Sequence, residues 1–157
     1  MNNYEEKFMR RAIELSKKSV ENGGGPFGAV IVKDGEIIAE ASNSVTHDND
    51  PTAHAEVNAI RQASKKLNTF DLSGAEIYTS CEPCPMCLGA IYWARLDKIY
   101  FANTKDDAKS IGFDDSFIYE EIEKPYHQRK IPTIQILREE ALEAFKMWQE
   151  KEDKIEY

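Results

Sequence analysis

Residues 75–103 read AEIYTSCEPCPMCLGAIYWARLDKIYFAN. AEIYTS, from Ala75 to Ser80, has the apolar, aromatic and β-branched content of a short buried strand, and DKIYFAN, from Asp97 to Asn103, reads as another. Cys84 to Arg95 reads as the helix between them. Pro83 and Pro85 fit a helix start, because proline is tolerated in the first turn. Cys84 and Cys87 then stand at i and i+3 on one face. They also stand at a helix N-terminus, where the dipole and free N–H groups favour thiolates over thiols.

Upstream, Tyr4, Phe8, Ala12, Leu15 and Ser19 recur at helical spacing until Gly23-Gly24-Gly25 stops the helix. FGAVIVKDGEIIAEASN, from Phe27 to Asn43, predicts a hairpin with Asp34-Gly35 as its tight turn. HAEVNAIRQASKKLN predicts a second helix, with Val57, Ile60, Ser64 and Leu67 on one face. Downstream, IPTIQILR predicts a further strand. The tail from Glu139 to about Lys151 predicts a helix striped by Ala141, Leu142, Ala144, Phe145 and Trp148. Strands alternating with helices after an opening hairpin indicate an α/β fold, a three-layer α/β/α sandwich around a mixed sheet.

The second half of the chemistry is His54-Ala55-Glu56. With Cys84 and Cys87 it supplies one imidazole, two thiols and one spare carboxylate. Three soft protein ligands suit Zn²⁺ and leave a fourth position open to water, whereas a structural site would close it. Glu56 is the expected general acid–base. Mid-helix, residues i and i+2 diverge by roughly 200°. At a helix start the first residue can be non-helical, so His54 and Glu56 can face one ion. Cys81 also has ligand spacing to Cys84, but it reads better as a small buried residue at a strand end.

The chain of 157 residues suits one domain spanning 1–157. Three cysteines within seven residues favour metal over disulfides in a reducing compartment. No apolar run reaches membrane-spanning length, and the N-terminal stretch lacks the apolar segment of a signal peptide. The expected location is the cytoplasm. A net charge of -8 and a pI near 5.0 weigh against a large nucleic-acid partner and against a membrane surface. A small neutral molecule is the easier partner.

His-x-Glu followed by Pro-Cys-x-x-Cys is the signature of zinc-dependent nucleobase deaminases, and on it the chain resembles the cytidine deaminase-like superfamily. The resemblance runs through GGPFGAVIV, DPTAHAEVNAI, YTSCEPCPMCLGAIYWAR and GFDDSFIY. Taken together these stretches are similar to the bacterial guanine deaminases of that superfamily. The narrower likeness rests on GFDDSF, Trp93 and the C-terminal Tyr157. It implies a five-stranded central sheet, one Zn²⁺ per subunit, and hydrolysis of guanine to xanthine and ammonia. It also implies a homodimer in which the C-terminal segment, about 139–157, is exchanged and Tyr157 closes the neighbour's site.

Asn43 ends the second hairpin strand, and its amide can donate to and accept from a purine edge. The resemblance makes it a substrate contact, while the residue alone is as readily a turn former. Phe27 and Trp93 are candidates to sandwich a flat base, against an ordinary core role. Asp115 is implied by the resemblance as a substrate anchor and second proton shuttle, in preference to Asp114. The rivals are a tRNA adenosine deaminase, a deaminase of cytosine, a triazine or a nucleoside, and a non-catalytic zinc module closed by His47.

Overall fold

The computed structural model describes residues 3–157, with side chains from Glu5 onward, so the side chain of Tyr4 lies outside the described residues. In chain order the elements are α1 (Asn3–Glu21), β1 (Gly28–Lys33), β2 (Glu36–Ser42), α2 (Val45–Asp48), α3 (Ala55–Leu67), β3 (Ala75–Cys81), α4 (Pro85–Trp93), β4 (Lys98–Asn103), α5 (Lys105–Ser110), α6 (Ser116–Glu123), a 3₁₀ turn (Tyr126–Gln128) and α7 (Arg138–Glu150). The chain divides into two compact units between Asp115 and Ser116.

The first unit holds a mixed sheet of order β2-β1-β3-β4. β1 runs antiparallel to β2 and β3, and β3 runs parallel to β4. Asp34 and Gly35 both have positive φ, 50° and 79°, the backbone that a two-residue hairpin turn requires. Alternation along the strands sends Ala29, Ile31 and Ile77 to one face, where they pack with Ala55, Ala59 and Ala63 of α3 and Ile91 of α4. Val30, Val32 and Tyr78 go to the other face with Phe8, Met9 and Ala12 of α1. Helices therefore cover both faces, as the α/β/α expectation required.

Two packing details carry the architecture. A Cβ at Gly28 would lie 2.3 Å from the Ala12 carbonyl oxygen and 2.7 Å from the Ser16 nitrogen, so α1 approaches β1 only because position 28 is glycine. On α3, the fully buried positions are Ala55, Glu56, Ala59 and Ala63, while Val57, Ile60, Ser64 and Leu67 are half-buried at the margins. The predicted apolar face is thus rotated. The helix meets the sheet through its small residues, which permit close approach, and tucks Glu56 beneath them.

The expected five-stranded sheet has four strands among the described residues. IPTIQILR, predicted as a strand, forms no strand among the described residues: 131–137 are irregular, and Arg138 already opens α7 behind Leu137 in the left-handed region. A strand without a ladder partner cannot satisfy its backbone groups internally. In the second unit the Arg129 guanidinium donates to the carbonyls of Glu121 (3.1 Å), Lys124 (3.3 Å) and Ile122 (3.4 Å), capping the end of α6. The tail helix, Arg138–Glu150, matches the expected span of Glu139 to about Lys151 within a residue at each end. Beyond Trp148 the chain is mostly charged and offers no further apolar stripe to pack.

Candidate active site

Phe27 precedes β1, Asn43 follows β2, and Cys81-Glu82 and Asn103-Thr104 end β3 and β4. Because β1 is antiparallel to β2 and β3 while β4 is parallel to β3, all these ends share one edge of the sheet. Backbone bonds stitch that edge: Asn43 N–H to Phe27 C=O at 3.1 Å, Ser44 N–H to Ala53 C=O at 2.9 Å and Glu82 N–H to Asn103 C=O at 2.8 Å.

His54 is the N-cap of α3, with φ −72° and ψ 156°, and Cys84 is the N-cap of α4, with φ −67° and ψ 169°. Both are extended, so each side chain swings off its helix axis toward the other. Pro85 occupies the first turn of α4, and the Cys84 sulfur accepts from the Cys87 N–H at 3.5 Å. His54 Nδ1 lies 3.5 Å from the Cys84 Sγ and 3.5 Å from the Cys87 Sγ. A tetrahedral zinc with ordinary Zn–N and Zn–S bonds has an N···S edge of about 3.6 Å. The donor set is therefore spaced for zinc. It is the metal-competent group found among the described residues, and it contains neither Glu56 nor Cys81.

The electrostatics agree with thiolate ligation. Hydrogen bonding from the Cys87 thiol, then from His54 and the Cys87 N–H, pulls the Cys84 thiol down to about 4 despite burial. Cys87 is pushed up by the neighbouring Cys84 sulfur and by burial, so the first thiolate forms at Cys84. Glu56 is 6% exposed. Burial raises its carboxyl above the usual range, against a lowering hydrogen bond with Cys87. A proton is therefore held more readily on Glu56 than on a surface glutamate.

Cys81 is buried at the last position of β3, its thiol 3.7 Å from the Thr104 carbonyl. Burial, then the charges of Glu56, Glu82 and Asp115, lift it to about 11. His47, the candidate fourth ligand, places Nε2 2.9 Å from the Asn22 carbonyl and stands outside the donor group.

Asn43 Oδ1 accepts from the Val45 N–H at 3.1 Å, an Asx turn. That leaves the Nδ2 side as its donor face. Asp115 is half-buried and Asp114 exposed; Asp114 lies 3.9 Å from Lys109. Burial, and next the Cys84 charge, raise the Asp115 carboxyl above the usual aspartate range. Phe27 meets Phe113 edge to face, centroids 5.0 Å apart at 86°. Sequence reading passed over Phe113, whose signal lay in the same GFDDSF stretch that was read for its aspartates. Trp93 is 69% exposed at the far end of α4. Helical geometry puts it about 9 Å along the axis from Cys87 and about 120° around it. The structure does not bring Trp93 to the ligand face of its own helix. Tyr157 lies in the second unit, 72% exposed.

Residues 2–103 match the model of the cytidine and deoxycytidylate deaminase zinc-binding region. A guanine deaminase from Bacillus subtilis (strain 168) is 56% identical over 153 residues, covering 97% of this chain and 98% of that protein. The X-ray structure of guanine deaminase from Bacillus subtilis superposes with a TM-score of 0.95, covering 100% of this chain and 99% of that one, at 56% identity. A structure of a guanine deaminase from Nitrosomonas europaea has a TM-score of 0.66 at 36% identity, covering 69% of this chain and 63% of that one. A tRNA-specific adenosine deaminase from Haemophilus influenzae is 36% identical over 157 residues, covering 98% of this chain and 89% of that protein. With two N-cap ligands and a third on the next helical turn spaced for zinc, and with the match spanning most of the fold around them, the chain belongs to the cytidine and deoxycytidylate deaminase zinc-binding family.

Proposed function

We propose that this protein hydrolyses guanine to xanthine and ammonia, as a cytoplasmic homodimer with one zinc per subunit. The observation that carries the reading is the 56% identity to a guanine deaminase over 97% of the chain. At like coverage, the tRNA-specific adenosine deaminase from Haemophilus influenzae reaches 36%. The net charge of -8 also fits a free base better than a polyanion.

His54, Cys84 and Cys87 would hold the metal, which when bound would supply Lewis-acid activation of water. Glu56 accepts one proton from the attacking water as the water oxygen bonds to C2 of guanine, and passes it to the ring nitrogen N3. It then carries the second proton, from the hydroxyl now on C2, to the departing amine. The C2–N bond breaks, ammonia leaves, and the carbonyl of xanthine remains. A group that gains and loses a proton each cycle works best with its pKa near the operating pH, and the burial of Glu56 moves it in that direction. Asn43 holds the base through its Nδ2 donors and Asp115 through the guanine N–H groups, with Phe27 against the ring face.

The second unit fits an exchange between copies. Ile131, Ile134 and Ile136 are 78%, 79% and 75% exposed, as are Phe145 at 70% and Met147 at 72%. β4 is an edge strand with a mostly exposed pattern, open to one more strand, and residues 131–138 of a second copy have the alternation to supply it. In that arrangement Tyr157 closes the neighbour's site.

The test is incubation of zinc-loaded protein with guanine in ¹⁸O-water. One label in xanthine and one ammonia per turnover are expected; no ammonia from guanine would sink the reading.

A further inference from the structure

Asn58 takes no part in the chemistry above, yet it bonds to both the segment around Asn43 and the segment leading to His54. It sits on the first turn of α3, where its backbone N–H donates to the His54 carbonyl at 2.9 Å. Its side-chain Nδ2 faces three acceptors: Ser44 Oγ at 2.9 Å, the Ser42 carbonyl at 3.0 Å and the Ala53 carbonyl at 3.3 Å. Ser42 and Ser44 flank Asn43, and Ala53 precedes His54.

We infer that Asn58 is a positioning residue for base recognition, a clamp that fixes where Asn43 stands relative to the metal ligand His54. The amide has two hydrogens and three acceptors, so its orientation is set by the network: an oxygen in its place would face two carbonyls. The clamp is closed on the backbone by Ser44 N–H to Ala53 C=O at 2.9 Å. It is extended on the side chain by Ser44 Oγ donating to Asp48 at 2.6 Å. Asn43 cannot move along β2 or away from α3 without breaking one of these bonds. Its own Oδ1 is held by Val45, and Gly25 leaves its amide room, since a Cβ there would come within 3.3 Å of Asn43 Cγ. Displacements near 1 Å at a recognition group cost on the order of 10²-fold in rate, so a clamp of this kind acts on binding and turnover without touching the base.

The role of Asn43 rests on the guanine reading; the clamp itself does not. Asn58→Asp keeps the shape and replaces the donor with an acceptor, Asn58→Ala removes both, and Asn58→Thr retains one hydroxyl donor. Zinc content, guanine kinetics and amide exchange at Ser44 and Val45 are measured for each. For Asn58→Asp the expected result is wild-type zinc content, KM for guanine raised about tenfold or more, a smaller change in kcat, and exchange at both amides faster by about tenfold. Asn58→Ala should follow it, which covers the case of an Asp variant that does not fold, and Asn58→Thr should lie between them and wild type. Lowered melting temperature with unchanged KM and unchanged exchange would overturn the inference, and so would loss of zinc. A wild-type protein inactive on guanine would remove the substrate reading, while the exchange rates would still decide the clamp.

Discussion

Residues 3–115 and 116–157 treat apolar side chains in opposite ways. In the first unit Ile31, Ile77, Leu72 and Val30 are 0% exposed, and two clusters fill both faces of the sheet. In the second unit no residue of α6 or α7 is buried, and isoleucines along 131–136 stand out in solvent. Contiguous apolar exposure of this kind marks a surface made for another molecule. The contrast teaches that the first unit buries its own core and carries the candidate metal group, whereas the second leaves its apolar side chains exposed, which the proposed function assigns to contact with a second copy.

The largest expected effect breaks the first unit at its centre. Cys87→Ala removes a buried ligand and should abolish both zinc binding and turnover, while Cys81→Ala should keep zinc by metal analysis. Loss of zinc from the Cys81 variant would reassign the ligands. Glu56→Gln should retain zinc and the fold yet lower turnover by at least ~10²-fold; near-normal activity would take the proton-transfer role from Glu56. Gly28→Ala forces a Cβ into the Ala12 carbonyl and should destabilise the first unit by about 3 kcal/mol in chemical denaturation. The smallest effect on stability belongs to the second unit. Phe145→Asp, at a side chain 70% exposed, should change unfolding of the first unit by less than about 0.5 kcal/mol yet shift the mass in sedimentation from dimer to monomer. A mass unaffected by that change would leave the exposed stripe without its proposed partner.

Legibility in the sequence followed the same division. The hairpin was readable because Asp34-Gly35 names its turn and the flanking strands alternate. The metal group was readable because His54 and Cys84 stand at helix starts, which Pro83 and Pro85 announce for α4. Reading failed where burial is a tertiary decision. The inner face of α3 is made of alanines and Glu56, which carry little hydropathy signal, so Val57 and Ile60 looked like the inner face. IPTIQILR has a strand's composition but no described partner, because pairing is a property of two segments and not of one. α5 escaped notice because it is six residues long, although Thr104 and Asp107 form a complete capping box. Asn58 was invisible, since an asparagine on a helix reads as solvent-facing until its three acceptors are located.

The most direct test of the account is ammonia release by zinc-loaded protein offered guanine, adenine, cytosine, guanosine, cytidine and an anticodon-stem RNA in parallel, with and without chelator. The account predicts release from guanine alone, with xanthine formed and none after zinc removal. Release from the RNA and not from guanine would contradict it.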